Sequence, residues 1–580
     1  LAYTPFNVAA HLLGPDRGGM RYDYRRPKHP FGDKFMMAAG HSVPTCYALY
    51  MILGQALERK FKLTGDRRYH VDPEIAILPI DALGFRRGAG ALKTLLAETG
   101  LADDPLFAQA KARGIKALSG HAESIDVTND CNGGPSGVGI ATAAGKAAFW
   151  DMIGTKGGPK VIALEGEFAM TEGHAQELKT QALALQVGKR LRVILSDNNA
   201  GIDDALLGGV ISNKFGGYDL PAQWTSYGWN VIQVQDGGDY DQIAAAYQQM
   251  EDWDEGDRRP LIAIARTTKG YWPGAVKGQV GSLKQITGYP SHPYGHKMNS
   301  DYFVALAGTF EQRYGVSFDG IRDGAVSDPK QRLIQFKSNI DKVMSVMEQN
   351  GLGDWIADRL VAIGDTVKDD HAVAIDNRSD PFQDERLRVA NLPMEPQKLP
   401  VKNRVSGAEK EASVTLFRKP GEVMGARRAV SEIFKYLNVV TENRFYTLAA
   451  DLSESINVEH ASLWGHYDPD TNPLGTRIKA AIQEAGNVAT AIGLVSQSAS
   501  VDPQKFAGVW ALSGTYGAFT PLMYTPARVW SQQNQDSRFR MGVLHILAGH
   551  SGPETAADGR THFGIFATQV WRMFPRGQVI

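Results

Sequence analysis

Two short segments carry oxygen groups at a spacing that could hold a divalent cation. One is Gly166-Glu167; the other is Asp197-Asn198, with Asn198 placed 31 residues after the glutamate. Each segment follows an apolar run, Val161-Ile162-Ala163-Leu164 and Leu191-Arg192-Val193-Ile194-Leu195, and a helical stretch from Glu172 to about Leu185 separates them. This is the pattern of a βαβ unit. Ligands of open α/β sheets gather beyond the carboxyl ends of the strands. Mg²⁺ takes hard oxygens in an octahedron and commonly shares them with phosphates and water. The Glu167 carboxylate, the Asn198 amide oxygen and the Ala200 backbone carbonyl would supply half a shell. Phosphate oxygens and a water would complete it, and Gly166 would let a phosphate approach without a Cβ in the way. A glycine–acid pair at a strand end is also an ordinary turn, so the motif alone leaves both readings open.

The elements around this pair set the architecture. Trp229-Asn230-Val231-Ile232 and Leu261-Ile262-Ala263-Ile264-Ala265 read as further strands of the same sheet. Strands alternating with helical stretches predict an α/β fold with mainly parallel sheets flanked by helices. A chain of 580 residues exceeds one compact core. The expected division is a first domain over 1–318, a linker rich in charge and Pro over 319–420 with some helix near 330–363, and a second α/β domain over 421–580. The second domain has a strand candidate at Phe445-Tyr446-Thr447-Leu448 and a long helix from about Arg477 to Ser496.

Composition removes several classes. A net charge of −1 gives no single-sign field to attract nucleic acid or a membrane surface. No apolar run approaches the ~18 residues that span a bilayer. Two cysteines, Cys46 and Cys131, make no disulfide framework, which suits the cytoplasm. The chain starts at Leu1 and ends abruptly at Phe574-Pro575-Arg576-Gly577-Gln578-Val579-Ile580, and it reads as a piece missing both true ends. Phosphate-loop, His-Glu-x-x-His and Cys-x-x-Cys motifs do not occur.

The order strand, Gly-acid, helix, strand, Asp-Asn-Asn resembles the thiamine diphosphate signature, Gly-Asp-Gly with Asn about thirty residues later. Around it the chain is similar to the transketolase family in collinear order. Gly32-Asp33-Lys34-Phe35 with Gly40-His41-Ser42, Gly120-His121-Ala122-Glu123, Gly134-Pro135-Ser136-Gly137, Met170-Thr171-Glu172-Gly173 with Glu177, and Ser291-His292 follow the family's first domain. Arg427, Asp451, Ser455, Glu484-Ala485-Gly486, His550, Asp558 and Thr561-His562 follow its second. Glu167 replaces the signature's Asp, Phe168 its second Gly, and Arg560 a family Pro.

The resemblance implies two thiamine-diphosphate-binding domains, the cofactor held through Mg²⁺ (Ca²⁺ as substitute) and a homodimer with sites at the interface. It implies metal ligands Glu167, Asn198 and Ala200, and cofactor contacts from His41, Gly134, Pro135, Ser136, Gly166, Phe168, Asn198, His292 and Phe519. Tyr524 competes with Phe519 for the place against the pyrimidine. Glu484 would be the acid at the pyrimidine nitrogen, kept protonated by an apolar pocket that includes Ile482, Ala485 and Val488. His121 and His292 would move protons, as a tuned His does near neutral pH. His41, His121, Arg427, Ser455, His550, Asp558 and His562 would bind a sugar phosphate, Arg427 by a bidentate contact. The implied reaction moves a two-carbon ketol unit from a ketose phosphate to an aldose phosphate. Alternatives are 1-deoxyxylulose-5-phosphate synthase, the first component of a 2-oxo acid dehydrogenase, or a non-catalytic or partner-dependent subunit, which the Glu167 and Phe168 departures favour.

Overall fold

A computed structural model describes residues 2–198, 219–268, 298–371, 373, 380–450, 452–565, 567–574 and 577. Its first sheet contains β1 (Lys34–Met37), β2 (Val161–Gly166), β3 (Leu191–Asp197), β4 (Asn230–Val234) and β5 (Leu261–Arg266), all parallel, in the order β1-β2-β3-β5-β4. A strand points successive side chains to opposite faces, and the apolar runs here serve two cores at once. Val161, Ala163, Leu191, Val193 and Leu195 enter one core, while Ile162, Leu164 and Ile194 enter the other. Helices α1 (Thr4–Leu12), α2 (Val43–Thr64) and α5 (Tyr240–Glu251) cover one face. Helices α3 (Ala143–Met152) and α4 (Gly173–Ala184) cover the other.

The second sheet is smaller, with β8 (Phe445–Ala449), β9 (Trp510–Tyr516) and β10 (Leu544–Gly549) parallel in the order β10-β9-β8. Helix α8 (Ala426–Val440) packs Phe434 against Phe445 and Leu512 on one side. Helix α9 (Glu484–Val495) is buried along its whole length on the other, and α10 (Tyr524–Asp536) lies beside it. The expected helix from Arg477 begins only at Glu484. The reason is that Thr476–Ile478 gives its backbone groups to the free edge of β8, through Thr447 N–H to the Thr476 carbonyl and Ile478 N–H to the Thr447 carbonyl.

Between the sheets, α6 (Pro329–Ser345) and α7 (Leu352–Gly364) lie in the stretch expected to hold some helix. α7 packs Ile356, Ala357 and Leu360 into the core that α2 shares, and the Lys60–Asp358 pair at 2.5 Å ties the two helices. An antiparallel hairpin of β6 (Gln397–Lys402) and β7 (Glu409–Val414) follows. It was not legible in the charged, Pro-containing sequence, because few of its side chains enter a core.

Helices α3 and α9 cross with their backbones touching. A Cβ on Gly145 would lie 2.0 Å from the Thr490 carbonyl oxygen, and one on Gly493 would lie 2.2 Å from that of Thr142. One core therefore runs from Trp150 and Ala147 through Val488 and Ile492 to Tyr446 and Ala511. Lys146 is fully buried at this crossing, with Nζ 3.0 Å from Asp130 Oδ2 and 2.9 Å from Ser496 Oγ.

Gly493→Ala is therefore expected to lower the urea midpoint, by about 1–3 kcal/mol of stability. Gly308→Ala, inside a helix with open space around its Cβ, should leave the midpoint unchanged or raise it. Equal midpoints for wild type and Gly493→Ala would show that the crossing can relax.

Candidate functional site

The register Gly166↔Ser196 sets the two strand ends level, so Glu167 and Asp197-Asn198 leave the first sheet side by side. Glu167 is 3% exposed and opens the turn Glu167–Thr171. Asp197 is engaged, with Oδ2 2.5 Å from Arg266 Nη1. Asn198 Oδ1 is different: it is buried and has no hydrogen-bond partner among the described residues. A buried amide oxygen without a donor is costly, and it has the chemistry of a cation ligand. The donor set therefore fits a hard cation. Ala200, the third expected ligand, lies outside the described residues, as do His292 and Asp451.

Two groups that the sequence did not suggest border this turn. The Tyr3 hydroxyl sits where a Cβ on Gly166 would come within 2.7 Å, and it hydrogen-bonds Ser196. Glu165 is 1% exposed, with Oε1 accepting the Gly166 N–H at 2.9 Å. Burial, and secondarily the nearby Glu167, push its carboxyl up to about 8. Strand periodicity hid both residues: Glu165 reads as an interruption of an apolar run, and Tyr3 is more than 160 residues away in the sequence.

The glycine loop and the first pair of histidines are laced together by backbone bonds. Ala122 N–H donates to the Gly40 carbonyl at 3.2 Å and Gly133 N–H to the Ala122 carbonyl at 2.8 Å. His41 and His121 meet with their Nε2 atoms 3.1 Å apart. Gly134, Pro135 and Ser136 follow at the surface. The loop ends at Gly137, in the left-handed region at φ 75°, where a Cβ would press within 3.0 Å of Ala175 Cβ. This packing sets the loop against the turn that carries Glu167 and Phe168. Phe168 is half-buried, and its carbonyl accepts from Thr171 Oγ1 at 2.7 Å.

Glu484 starts α9, 8% exposed, and its Oε1 accepts from Thr515 Oγ1 at 3.0 Å. Ala485 and Val488 are buried beside it, whereas Ile482 is 73% exposed. Glu177 of α4 reaches the same helix start, where its Oε2 accepts the Gly486 N–H. Burial pushes the Glu177 carboxyl up, the bond from Gly486 opposes this, and Glu484 adds to the rise.

The remaining groups collect at the carboxyl edge of the second sheet. His550 Nε2 lies 2.5 Å from Arg427 Nη1 and 2.9 Å from the Ser455 carbonyl. A guanidinium only donates and a carbonyl only accepts, so the tautomer of His550 decides which of these two contacts is a hydrogen bond. His550 sits at φ 49°, an uncommon place for a side-chain-bearing residue. Its ring lies against Tyr516 at 4.7 Å, and His562 packs on Tyr516 and Phe519 at 5.8 and 5.1 Å. Tyr516 thus centres a cluster in which sequence reasoning named every ring but it. The sequence signal was the Gly514-Thr515-Tyr516-Gly517 end of an apolar run. Tyr524 instead packs on Trp571 and Phe574. Asp558 is exposed at the end of the turn Pro553–Asp558. A cavity of about 620 Å³ opens between α4 and the second sheet, bordered by Thr180, Gln181, Ser455, Arg477 and Gln483.

Residues 106–283 match the family model described as transketolase, thiamine diphosphate binding domain. Over this part the chain is similar to the transketolase family. It is 28% identical over 264 residues to the transketolase of Cereibacter sphaeroides, covering 45% of this chain and 31% of that protein. It is 28% identical over 319 residues to transketolase 1 of Candida albicans, covering 51% of this chain and 37% of that protein. The chain thus spans well under half the length of these curated relatives. The solved transketolase of Pichia stipitis in complex with sedoheptulose-7-phosphate superposes with a TM-score of 0.58 at 16% identity, over 99% of this chain and 72% of that one. At that identity the likeness is one of fold: α/β units with parallel sheets flanked by helices. Among the described residues no helix is long and apolar enough to cross a membrane.

Glu165 yields a pH signature. Its folded pKa, about 8, lies above the ordinary 4.5, so the folded state keeps a proton that the unfolded chain releases. The stability this contributes is present below pH 4.5 and is lost as pH rises through about 8. Glu165→Gln should flatten the fall in melting temperature between pH 5 and 8. A fall as steep as wild type would show that this carboxyl does not titrate there.

Proposed function

We propose that the chain binds thiamine diphosphate through a divalent cation and transfers a two-carbon ketol unit between sugar phosphates. The observation that carries this reading is the buried Asn198 oxygen, unpartnered among the described residues and beside Glu167, at adjoining parallel strand ends, with the Gly134–Gly137 loop folded against the same turn. Glu167, Asn198 and the Ala200 carbonyl would hold Mg²⁺, with Ca²⁺ as a substitute. His41, Gly134, Pro135, Ser136, Gly166, Phe168 and His292 would face the diphosphate and thiazolium part, and Phe519 the pyrimidine.

When bound, the cofactor supplies the nucleophilic carbon that takes up the ketol unit. The chain's own groups hold and move protons around it. Glu484, fixed by the Thr515 hydroxyl, presents a carboxyl for the pyrimidine nitrogen. The His41–His121 pair, at 3.1 Å, can pass a proton between rings and so serve substrate hydroxyls, with His292 alongside. Arg427 and His550 offer a phosphate a cation and a ring nitrogen, and Ser455, Asp558 and His562 supply further polar contacts. The division into 1–318, 319–420 and 421–580, a homodimer that completes each site across its interface, and a cytoplasmic location belong to the same proposal.

Calorimetric titration of thiamine diphosphate with Mg²⁺ tests it first. Wild type should bind, Glu167→Ala and Asn198→Ala should lose at least ~10-fold in affinity, and Glu484→Gln should bind yet lose at least ~100-fold in ketol transfer. Folded wild-type protein that binds no cofactor would leave the partner-dependent or non-catalytic reading in its place.

A further inference from the structure

A second cavity, of about 900 Å³, lies between the two α/β units at the opposite ends of their strands. Its wall includes Lys34, which begins β1, the segment Arg538–Met541 just before β10, and Ser496–Ser498 at the far end of α9 from Glu484. Twelve residues of helix separate those ends, about 18 Å at 1.5 Å per residue. None of the groups assigned above to cofactor or sugar binding lines the cavity.

Its inner wall holds more cations than anions to meet them. Against its burial, Lys146, then Lys34 and Lys28, hold the Asp130 carboxyl below its ordinary value. Lys146 takes that carboxylate directly, at 3.0 Å. The hydrogen bonds of the other two go to neutral carbonyls: Lys28 Nζ to Asn129 at 2.5 Å and Lys34 Nζ to Pro30 at 2.8 Å. Lys116 Nζ likewise bonds the Glu74 carbonyl at 2.5 Å. Burial pulls all three ammonium groups down to about 8.

The other acids along the wall are engaged or peripheral. Asp33 faces Arg21 and Lys160, each at 3.9 Å, and Asp369 faces Arg26 and His29. Asp126 accepts from the Tyr47 hydroxyl at 3.1 Å and the Glu123 N–H at 2.9 Å, and burial pushes its carboxyl up to about 6. Glu74 and Asp536 are exposed. Ile77, Leu118, Val127 and Met541 add apolar surface to the same wall. Half-buried cations whose hydrogen bonds go to neutral carbonyls leave a place for a counter-anion, and a cavity of this size, lined largely by apolar surface, accepts a whole small molecule.

We propose that this cavity binds a phosphorylated small molecule of nucleotide size, its phosphates at Lys28 and Lys34 and its body against the apolar wall. This does not rest on the function proposed above. The probes are ADP, adenosine and inorganic phosphate, titrated calorimetrically into the full chain, with Mg²⁺ and saturating thiamine diphosphate present throughout. ADP should bind, and adenosine and phosphate should each bind at least tenfold more weakly. Lys28→Gln/Lys34→Gln should weaken ADP at least tenfold, and so should Met541→Trp, which narrows the cavity from its apolar side while keeping every cation. Glu167→Ala should leave ADP binding unchanged. The proposal is overturned if ADP does not bind wild type, if both cavity variants bind it as wild type does, or if Glu167→Ala alone abolishes binding.

Discussion

Backbone contact between α3 and α9 governs how the two sheets of this chain relate. Helices joined by large side chains can slide by repacking them, but here the carbonyls of Thr142 and Thr490 occupy the space where a Cβ of the opposing helix would stand. Gly145 and Gly493 are what allows the approach, and Ala143, Ala144, Ala147 and Ala148 keep the rest of α3 slim. Close-packed interiors transmit small displacements rather than absorbing them. The carboxyl edge of the second sheet and the start of α9 are therefore fixed relative to the first sheet.

Polar contacts refine that fit. Lys146 reaches from α3 to Asp130 and Ser496, and Gln181 of α4 donates to Asn487 Oδ1 at 2.6 Å. The Glu177 bond to the Gly486 N–H does the same at the first turn of α9. Breaking such buried pairs leaves a charge or donor without a partner, which costs more than the pair itself contributes. These contacts select one rotation of α9 about its axis. That rotation directs Glu484 toward Thr515 and leaves Ile482, two residues earlier, in solvent.

The candidate site concentrates groups whose placement is unfavourable in isolation. Among the described residues Asn198 has a buried oxygen with no donor, Glu165 is a buried acid beside another, and His550 holds a left-handed backbone conformation. All three lie at the carboxyl ends of parallel strands, where chain direction changes and side chains converge. Such features cluster where a protein gives up stability for binding or chemistry.

The sequence by itself determined five of the strands, β2 to β5 and β8, their parallel α/β arrangement and the Glu167–Asn198 spacing, but not β1, β9 or β10. It could do so because strand burial writes an apolar run and a strand end writes a glycine and an acid, both local signals. It also ordered His41, His121, Glu484, Arg427, His550 and His562 along the chain. Tertiary structure decided the rest. The hairpin of β6 and β7, the late start of α9 and the segment Thr476–Ile478 on the edge of β8 depend on partners distant in sequence, which periodicity does not record. Tyr3 over Gly166, Thr515 on Glu484 and Tyr516 at the centre of the histidine cluster are likewise meetings across the fold. Only three-dimensional packing could assign them, because a side chain's role there is set by what the topology brings within 3–5 Å of it.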